Sequence, residues 1–322
     1  MNILVTGGMG FIGSNFIHYW NKTHPNDIVT CFDKQTYASN VNNLDGATYN
    51  NIIGDICDYK FINSVIKHND IIIHFAAESH VDNSINNADP FIETNIIGTY
   101  NILKACKEYN KRIHHISTDE VFGSLELNDG KYFKEETSYD PHSPYSASKA
   151  SSDHLVRSFY HTYGLPITIS NCSNNYGPRQ HNEKLIPKII LNTLKQLPSP
   201  IYGDGRNVRD WIYVEDHCSA IDFILNNGKI GETYLIGGDN EKSNLDIIKS
   251  IVENIDSLKD WKTYVNYVND RAGHDRRYSI NCSKLKNLGW RAEYLFHNGI
   301  DKTIEWYKGD NKIEKENVNR KI

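Results

Sequence analysis

Two short clusters in this chain carry side chains able to move protons. Thr118-Asp119-Glu120 sets two carboxyl groups side by side, and Tyr145-Ser-Ala-Ser-Lys149 sets a phenol four residues before an ammonium. A tyrosine ordinarily loses its proton near about pH 10, so at neutrality it is a poor base unless a neighbour favours phenolate. Ser143-Pro144 reads as a helix start, and the residues that follow to Val156 continue the helical pattern, so positions 145 and 149 share one face. The Lys149 ammonium is then expected to lower the Tyr145 phenol. Each cluster also has a plain reading, as a solvated helix pair or a solvated turn after a strand, so the surroundings must decide.

The amino end supplies the first of those surroundings. Met1-Asn-Ile-Leu-Val-Thr6 is an apolar, β-branched run that reads as a strand, and Gly7-Gly8-Met9-Gly10-Phe11-Ile12-Gly13 reads as a turn opening into a helix. Gly8, Gly10 and Gly13 satisfy G-x-G-x-x-G, while Gly7, Gly10 and Gly13 satisfy the wider G-x-x-G-x-x-G spacing. Either lets backbone approach a pyrophosphate lying on the free amides of a helix start. A second strand, Ile28–Phe32, ends at Asp33, where a carboxylate can hold a ribose 2′-hydroxyl. That acid favours NAD over NADP, because a 2′-phosphate would meet negative charge.

Further apolar runs at 51–54, 70–75 and 112–117 alternate with helical patterns, notably 90–110 and 144–163. The rhythm predicts an α/β fold: a Rossmann-like doubly wound parallel sheet, covered on both faces. Gly7, Asp33, Ala76 and Thr118 all fall at the carboxyl ends of these strands, where such sheets bind ligands. After Ile169 the chain turns to loops rich in Asn, Pro, Gly and Tyr, with an amphipathic stretch at 184–196. We therefore expect an NAD-binding domain at 1–173 and a smaller mixed α/β substrate domain from about 174 to 209 and from 241 to 308. Residues 309–322, dense in charge, read as a frayed tail.

These motifs together resemble the extended short-chain dehydrogenase/reductases, and within them the dTDP-glucose 4,6-dehydratases. The resemblance rests on Thr6 to Gly13, Asp33-Lys34-x-Thr36-Tyr37-Ala38, Ala76-Ala77-Glu78-Ser79-His80-Val81-Asp82, Ser117 to Gly123 and Tyr145-x-x-x-Lys149. It continues through Asn174 to Pro178, Glu183 to Pro187, Val208-Arg209-Asp210-Trp211 and Arg271 to Tyr278, and so reaches to about residue 308. It implies a return to the first domain over about 210–240, where Trp211–Val214 and Glu232–Ile236 are strand-like. It implies a cofactor set of Gly7, Gly10, Phe11, Ile12, Gly13, Asp33, Lys34, Thr36, Asp55, Ile56, Phe75, Ala76, Ala77, Ser79, Thr94, Tyr145, Lys149 and Asn175. It implies a nucleotide-sugar pocket of Ser79, Thr118, Asn174, Glu183, Lys184, Leu185, Tyr202, Arg209, Asn244, Arg271 and His274. In that pocket Arg209, Arg271 and His274 would meet the diphosphate, and Tyr202 would pack on the base. Ala272 and Asn182 depart from prolines common in the family, which touches loop stiffness rather than chemistry.

What the resemblance implies for the reaction is an oxidation followed by loss of water. Tyr145 takes the proton of the sugar's 4-hydroxyl as C4 gives hydride to NAD, and the resulting ketone acidifies C5. Glu120 removes the C5 proton, Asp119, held protonated, gives one to the departing 6-hydroxyl, and hydride returns to C6. Thr118 would hydrogen-bond the 4-oxygen, and Lys149 would hold the nicotinamide ribose. A UDP-glucose 4,6-dehydratase, a nucleotide-sugar 4-epimerase and a non-catalytic NAD-binding protein remain alternatives. Epimerases lack the acid pair, and silent binding proteins commonly lose Tyr, Lys or the acids.

Composition narrows the remaining classes. The net charge of −5 gives no broad basic footprint for nucleic acid, and no segment has the apolar length to span a bilayer. The chain begins directly with a strand, which leaves no room for a secretory signal. Six scattered cysteines without a C-x-x-C pair point to reduced thiols in a cytoplasm, not to disulfides or zinc. His114-His115 are expected to be structural, because neighbours in a strand face opposite ways. No metal is expected. A homodimer through 90–110 and 144–163 is expected from the resemblance alone.

Overall fold

The three apolar residues at the middle of the first strand divide between two cores. In β1 (Asn2–Thr6), Ile3 and Val5 enter one and Leu4 the other, and all three are fully buried. In β4 (Ile71–His74), Ile71 and Ile73 likewise oppose Ile72. Strands apolar on both faces must be covered on both faces. The computed structural model, which describes residues 1–319 with side chains to residue 309, shows how this is met.

Seven strands form one parallel sheet in the order β10 (Thr233–Ile236), β6 (Ile167–Cys172), β5 (Arg112–Thr118), β4, β1, β2 (Ile28–Asp33), β3 (Asn50–Ile53). On one face α1 (Phe11–Thr23) packs with α8 (Val214–Asn227), where Phe16, Ile17 and Trp20 share a core with Cys218, Ile221 and Ile224. On the other, α2 (Tyr59–Ile66), α5 (Thr99–Tyr109) and α6 (Pro144–Tyr163) contribute Ile62, Ile66, Ile102, Leu103 and Val156. Each such side chain, once buried, stabilises the fold by roughly 1.5–3 kcal/mol. The chain leaves β1 outward through β2 and β3, then recrosses to β4. The loops after β1 and β4 thus diverge and leave a crevice at the strands' carboxyl ends.

A second layer carries the other wall of that crevice. β7 (Asn174–Tyr176) pairs in parallel with β9 (Val208–Tyr213), which pairs antiparallel with β11 (Glu241–Ser243). β8 (Ser199–Tyr202) pairs in parallel with β12 (Val265–Val268). Isoleucines 186, 189 and 190 of α7 (Leu185–Leu194) join 247, 248 and 251 of α9 (Asn244–Ile255) and 300 and 304 of α11 (Phe296–Asn319) in a third core.

Local structure departs from the sequence reading at four places. The 90–110 helix is one helical run in three pieces, α4 (Asp89–Phe91), a π turn over Ile92–Gly98, and α5. Such bulges recur at functional sites, and this one turns Asn95 inward, 1% exposed. The Trp211–Val214 run, expected in the first domain, is mostly the end of β9 in the small sheet. Ile212 and Val214 nevertheless pack with Ile3 and Val5, so the chain crosses between layers here. The segment after residue 241 is not wholly in the second layer, because α10 (Ser283–Leu288) lies against β10 and sends Leu285 into the first core. For the charged tail, α11 runs to Asn319, while the side chains of 310–319 and all of 320–322 lie outside the described residues.

The first turn explains its glycines sterically. Gly7 has φ +71°, and a Cβ there would lie 2.7 Å from the amide nitrogen of Ala76 on the neighbouring β4 loop. A Cβ on Gly13 would lie 2.3 Å from the Gly7 carbonyl oxygen, so helix and turn touch backbone to backbone. Gly8 instead packs against Cys31 and Ile17, which selects the Gly7-Gly10-Gly13 spacing for the crevice. Gly13→Ala is therefore expected to cost about 1–3 kcal/mol through forced displacement of the turn. Denaturant unfolding with an unchanged midpoint would contradict this close packing.

Candidate active site

One cleft runs along the carboxyl ends of β1, β2, β4, β5 and β6, and its walls begin at the glycine turn. α1 starts after Gly10, whose missing side chain leaves the first helical amides uncapped and facing the cleft. Phe11, Ile12 and Gly13 line the cleft with Gly7 and Gly10. Backbone N–H groups at an uncapped helix start can receive an anion. Asp33 closes β2 and accepts hydrogen bonds from the amides of Met9 (2.9 Å) and Gln35 (2.8 Å). Lys34 is paired with Asp55 at 2.6 Å, and both face the cleft with Thr36 and Ile56. Phe75, Ala76, Ala77, Ser79, Thr94 and Asn175 complete that wall. All the residues proposed from sequence to hold a dinucleotide therefore lie in a single cleft. Its backbone cradle, which a Cβ on Gly7 or Gly13 would fill, suits a pyrophosphate.

At the inner end stand Thr118, Asp119 and Glu120, where β5 passes into a short 3₁₀ turn (Asp119–Phe122). The Thr118 hydroxyl caps that turn, accepting from the Glu120 amide at 3.3 Å and donating to Asp119 Oδ1 at 3.4 Å. Asp119 is 1% exposed, and its Oδ2 has no hydrogen-bond partner among the described residues. Burial, then the negative charges of Glu120 and Asp210, push its carboxyl well above the usual range. Glu120 is also raised by burial, but Arg271, Arg209 and Lys184 oppose the rise. Both neighbours are thus raised, Asp119 strongly and Glu120 against the pull of three cations.

Tyr145 and Lys149 come from the first turns of α6. Ser143 caps that helix reciprocally with Ser146, at 3.1 and 3.0 Å, and Pro144 occupies its first position. The Tyr145 phenol is pushed well above its ordinary value, first by burial and then by Glu120 and Cys172, while a hydrogen bond with Thr118 acts in the opposite direction. The Lys149 ammonium donates to the Ile116 carbonyl at 2.8 Å. What opposes the rise of the phenol in this structure is Thr118, whereas the sequence reading expected Lys149.

The match with known proteins extends over nearly the whole chain. The family model described as GDP-mannose 4,6 dehydratase matches residues 4–303. A dTDP-glucose 4,6-dehydratase of Mycobacterium tuberculosis is 48% identical over 96% of this chain and 93% of its own. The chain belongs to the dTDP-glucose 4,6-dehydratase family. A Bacillus anthracis dTDP-glucose 4,6-dehydratase solved in complex with NAD superposes with a TM-score of 0.89 at 45% identity, covering 97% of this chain and 98% of that one. The UDP-glucose 4-epimerase of Thermotoga maritima, solved with UDP-glucose, reaches 0.88 at 26% identity, covering 96% and 99%. Dehydratases and epimerases therefore share this fold.

Apart from Thr118 at the inner end, the residues proposed for the nucleotide fall in two groups. Ser79, Asn174, Glu183 and Lys184 line the cleft itself, and Lys184 Nζ donates to the Ser79 carbonyl at 3.0 Å. Leu185, Tyr202, Arg209, Asn244, Arg271 and His274 lie beyond it. Leu185 opens α7 and packs on the third core. Asn244 opens α9, with its amide bonded to the Asn207 carbonyl. Arg209 lies over the Tyr278 ring at 4.1 Å and donates to the Asp275 carbonyl at 2.9 Å. The Tyr202 hydroxyl donates to Asp82 at 3.0 Å, Arg271 sits 3.6 Å from the same carboxylate, and the His274 ring packs edge-on to Tyr202 while hydrogen-bonding Asp270.

Several residues in and around the cleft were not among the sequence proposals. Asp82 lies inside the Ala76–Asp82 motif, but its pairing with Arg271 joins distant parts of the chain and leaves no local signal. Asn95 donates to the Glu78 carbonyl (3.0 Å) and accepts from the Glu78 amide (2.9 Å), pinning the loop after β4. Cys172 and Gln180 line the cleft as well. His114 and His115 are internal hydrogen-bonding groups, the first to Thr168 and Ser170, the second against Asp153 and Ser152. No metal cluster exists among the described residues.

Because the folded Asp119 carboxyl is raised above its ordinary 3.8, it favours folding while protonated, and that contribution is lost as pH rises through the raised value. Asp119→Asn keeps the shape without the charge. Its melting temperature is expected to match the parent near about pH 4 and to exceed it increasingly toward about pH 9. A difference independent of pH would exclude a raised Asp119.

Proposed function

We propose that this protein dehydrates a nucleotide-linked glucose across C5 and C6, with dTDP-glucose as substrate and NAD as resident cofactor. The observation that carries this reading is the unequal setting of two adjacent carboxyls beside Tyr145, Asp119 buried and strongly raised, Glu120 faced by Arg271, Arg209 and Lys184. An epimerase needs no such pair. Gly7, Gly10 and Gly13 would hold NAD along the glycine turn, where it would supply reversible hydride chemistry.

The chain's own residues do the rest. Gly7, Gly10 and Gly13 admit the pyrophosphate, and the amides of Phe11 and Ile12 bind it. Asp33 takes a ribose hydroxyl, and Lys34 with Asp55 closes the far end. Thr118 binds the sugar's 4-oxygen and its hydrogen bond favours the Tyr145 phenolate as Tyr145 takes the 4-hydroxyl proton; Lys149 holds a ribose. With C4 a ketone, C5–H is acidic. Glu120 takes that proton, Asp119 protonates the leaving 6-hydroxyl, and water departs; Glu120 then returns a proton to C5. The part built on β7, β9 and β11 chooses the nucleotide, with Arg209, Arg271 and Lys184 meeting the diphosphate and Asn174, Glu183, Tyr202, Asn244 and His274 around it.

The protein is expected to work as a homodimer in a reducing compartment such as a cytoplasm. All six cysteines are free thiols, and no described helix is long and apolar enough to cross a membrane. Ile85, Ile92, Ile97 and Tyr100, exposed by 41–48%, and Tyr163, exposed by 52%, decorate α3 (Val81–Asn86), the π turn, α5 and α6, and suit a second copy. Sedimentation should report twice the chain mass, and Ile97→Glu should shift it toward one chain. A parent protein that sediments as one chain would refute the dimer.

Incubation with dTDP-glucose, followed by the alkali-induced absorbance of a 4-keto sugar, should report turnover, with UDP-glucose converted far more slowly. Tyr145→Phe should abolish C4 oxidation and leave NAD binding intact. Asp119→Asn and Glu120→Gln should still oxidise C4 but slow water loss by about 10²–10⁴-fold, so that a 4-keto-glucose builds up. Loss of oxidation alone in the acid variants would break this division of roles.

A further inference from the structure

Four polar side chains recur at intervals of four along α6: Tyr145, Lys149, Asp153 and Arg157. The spacing puts them on one face of the helix, and that face is turned inward. Tyr145, Lys149 and Asp153 are 8%, 5% and 0% exposed. The phenol and ammonium have roles in the reading above, but the carboxylate beyond them has none. Asp153 is held by more partners than a helix residue needs for packing. Its Oδ2 accepts from Ser117 Oγ (2.9 Å), the Tyr139 hydroxyl (2.8 Å) and Asn171 Nδ2 (3.0 Å), and its Oδ1 lies 3.2 Å from His115 Nε2. Arg157 reaches the cluster through the same Tyr139 hydroxyl, at 2.7 Å. Three donors on one oxygen stabilise the ionised form and leave no room for a carboxyl proton there.

The reason for so guarded a buried charge lies one turn back. An ammonium taken out of water is strongly disfavoured unless a negative charge faces it. Lys149 Nζ has a single neutral acceptor, the Ile116 carbonyl. The titratable groups that act on it are His74 from β4, His115 from β5, Cys172 from β6 and Asp153 from its own helix. Burial keeps both imidazoles neutral, His115 down to about 4, and pushes the Cys172 thiol up to about 12, so at neutrality Asp153 is the anion among them. Burial alone would raise Asp153, yet His115, Lys149 and Arg157 bring it down to about 2.

Resting on the dehydratase reading, we propose that Asp153 is a positioning residue for the oxidation step. It is the counter-ion that keeps Lys149 an ammonium in a dry site and thereby holds in its charged form the group that positions the ribose beside Tyr145. The functional helix motif is then Tyr-x-x-x-Lys-x-x-x-Asp, with the third member acting through the second.

Three measurements test it. In Asp153→Asn, the alkaline limb of the pH profile for C4 oxidation should move down by about one unit or more, a tenfold loss at the parent's alkaline edge. A merely structural role would lower the rate at every pH without moving the limb. A thermal-unfolding cycle with Lys149→Met needs no activity. Asp153→Asn should destabilise the parent clearly and the Lys149→Met background far less, whereas equal losses in both would overturn the pairing. If Asp153→Asn does not fold, the carboxyl carbon resonance of Asp153 in the unsubstituted protein decides. It should stay that of a carboxylate from about pH 5 to about pH 8, and a titration within that window would sink the proposal. The last two readouts do not depend on the substrate, so their failure is distinguishable from failure of the dehydratase reading.

Discussion

Removing two adjacent carboxyl groups unequally from water is the constraint on which this site depends. In bulk solvent Asp119 and Glu120 would both be ionised and chemically equivalent. The end of β5 places the first against the protein interior and the second toward Arg209, Arg271 and Lys184. A low dielectric then magnifies every nearby charge, so that both carboxyls are raised but cations restrain the rise at Glu120.

That placement is a property of the parallel sheet rather than of the residues themselves. β5 lies between β4 and β6, so its carboxyl end opens into the same crevice as the glycine turn of β1 and the loop after β4. The α6 helix, which packs against β5, β6 and the 3₁₀ turn, brings Tyr145 and Lys149 over the same strand end. A fold shared with a 4-epimerase at a TM-score of 0.88 can therefore carry different chemistry, because its strand ends accept different side chains. Charge in the walls is balanced in the same economical manner. Lys34 answers Asp55, and Asp82 stands between Tyr202 and Arg271.

Much of the architecture was legible beforehand, for local reasons. The isoleucine-rich run at 70–75 is apolar on both faces, which only a covered strand tolerates, and β4 lies within it. Ser143-Pro144 marks a helix start because a serine hydroxyl can accept from the free amides there and proline gives up an N–H that has no partner in the first turn. Gly164 ends the same helix in a left-handed conformation at φ +68°. The π turn at 92–98 was not legible. Within it Asn95 bonds Glu78 and Ser148, partners 17 and 53 residues away, which no local pattern announces. Nor did the pattern say that β9 would leave the large sheet, since a strand reads the same in either layer.

The sequence by itself determined the inventory of chemistry: a glycine turn only glycine can make, an acid ending the second strand, two adjacent carboxyls, and a phenol one helical turn from an ammonium. Those are short-range facts, governed by backbone sterics and by the two periods of strand and helix. How strongly each carboxyl is raised, and which cations oppose the rise at Glu120, were decided by tertiary structure alone. Proton affinity depends on burial and on charges a few ångströms away in space, and Asp119, Arg209 and Arg271 become neighbours only when the two layers close on one another.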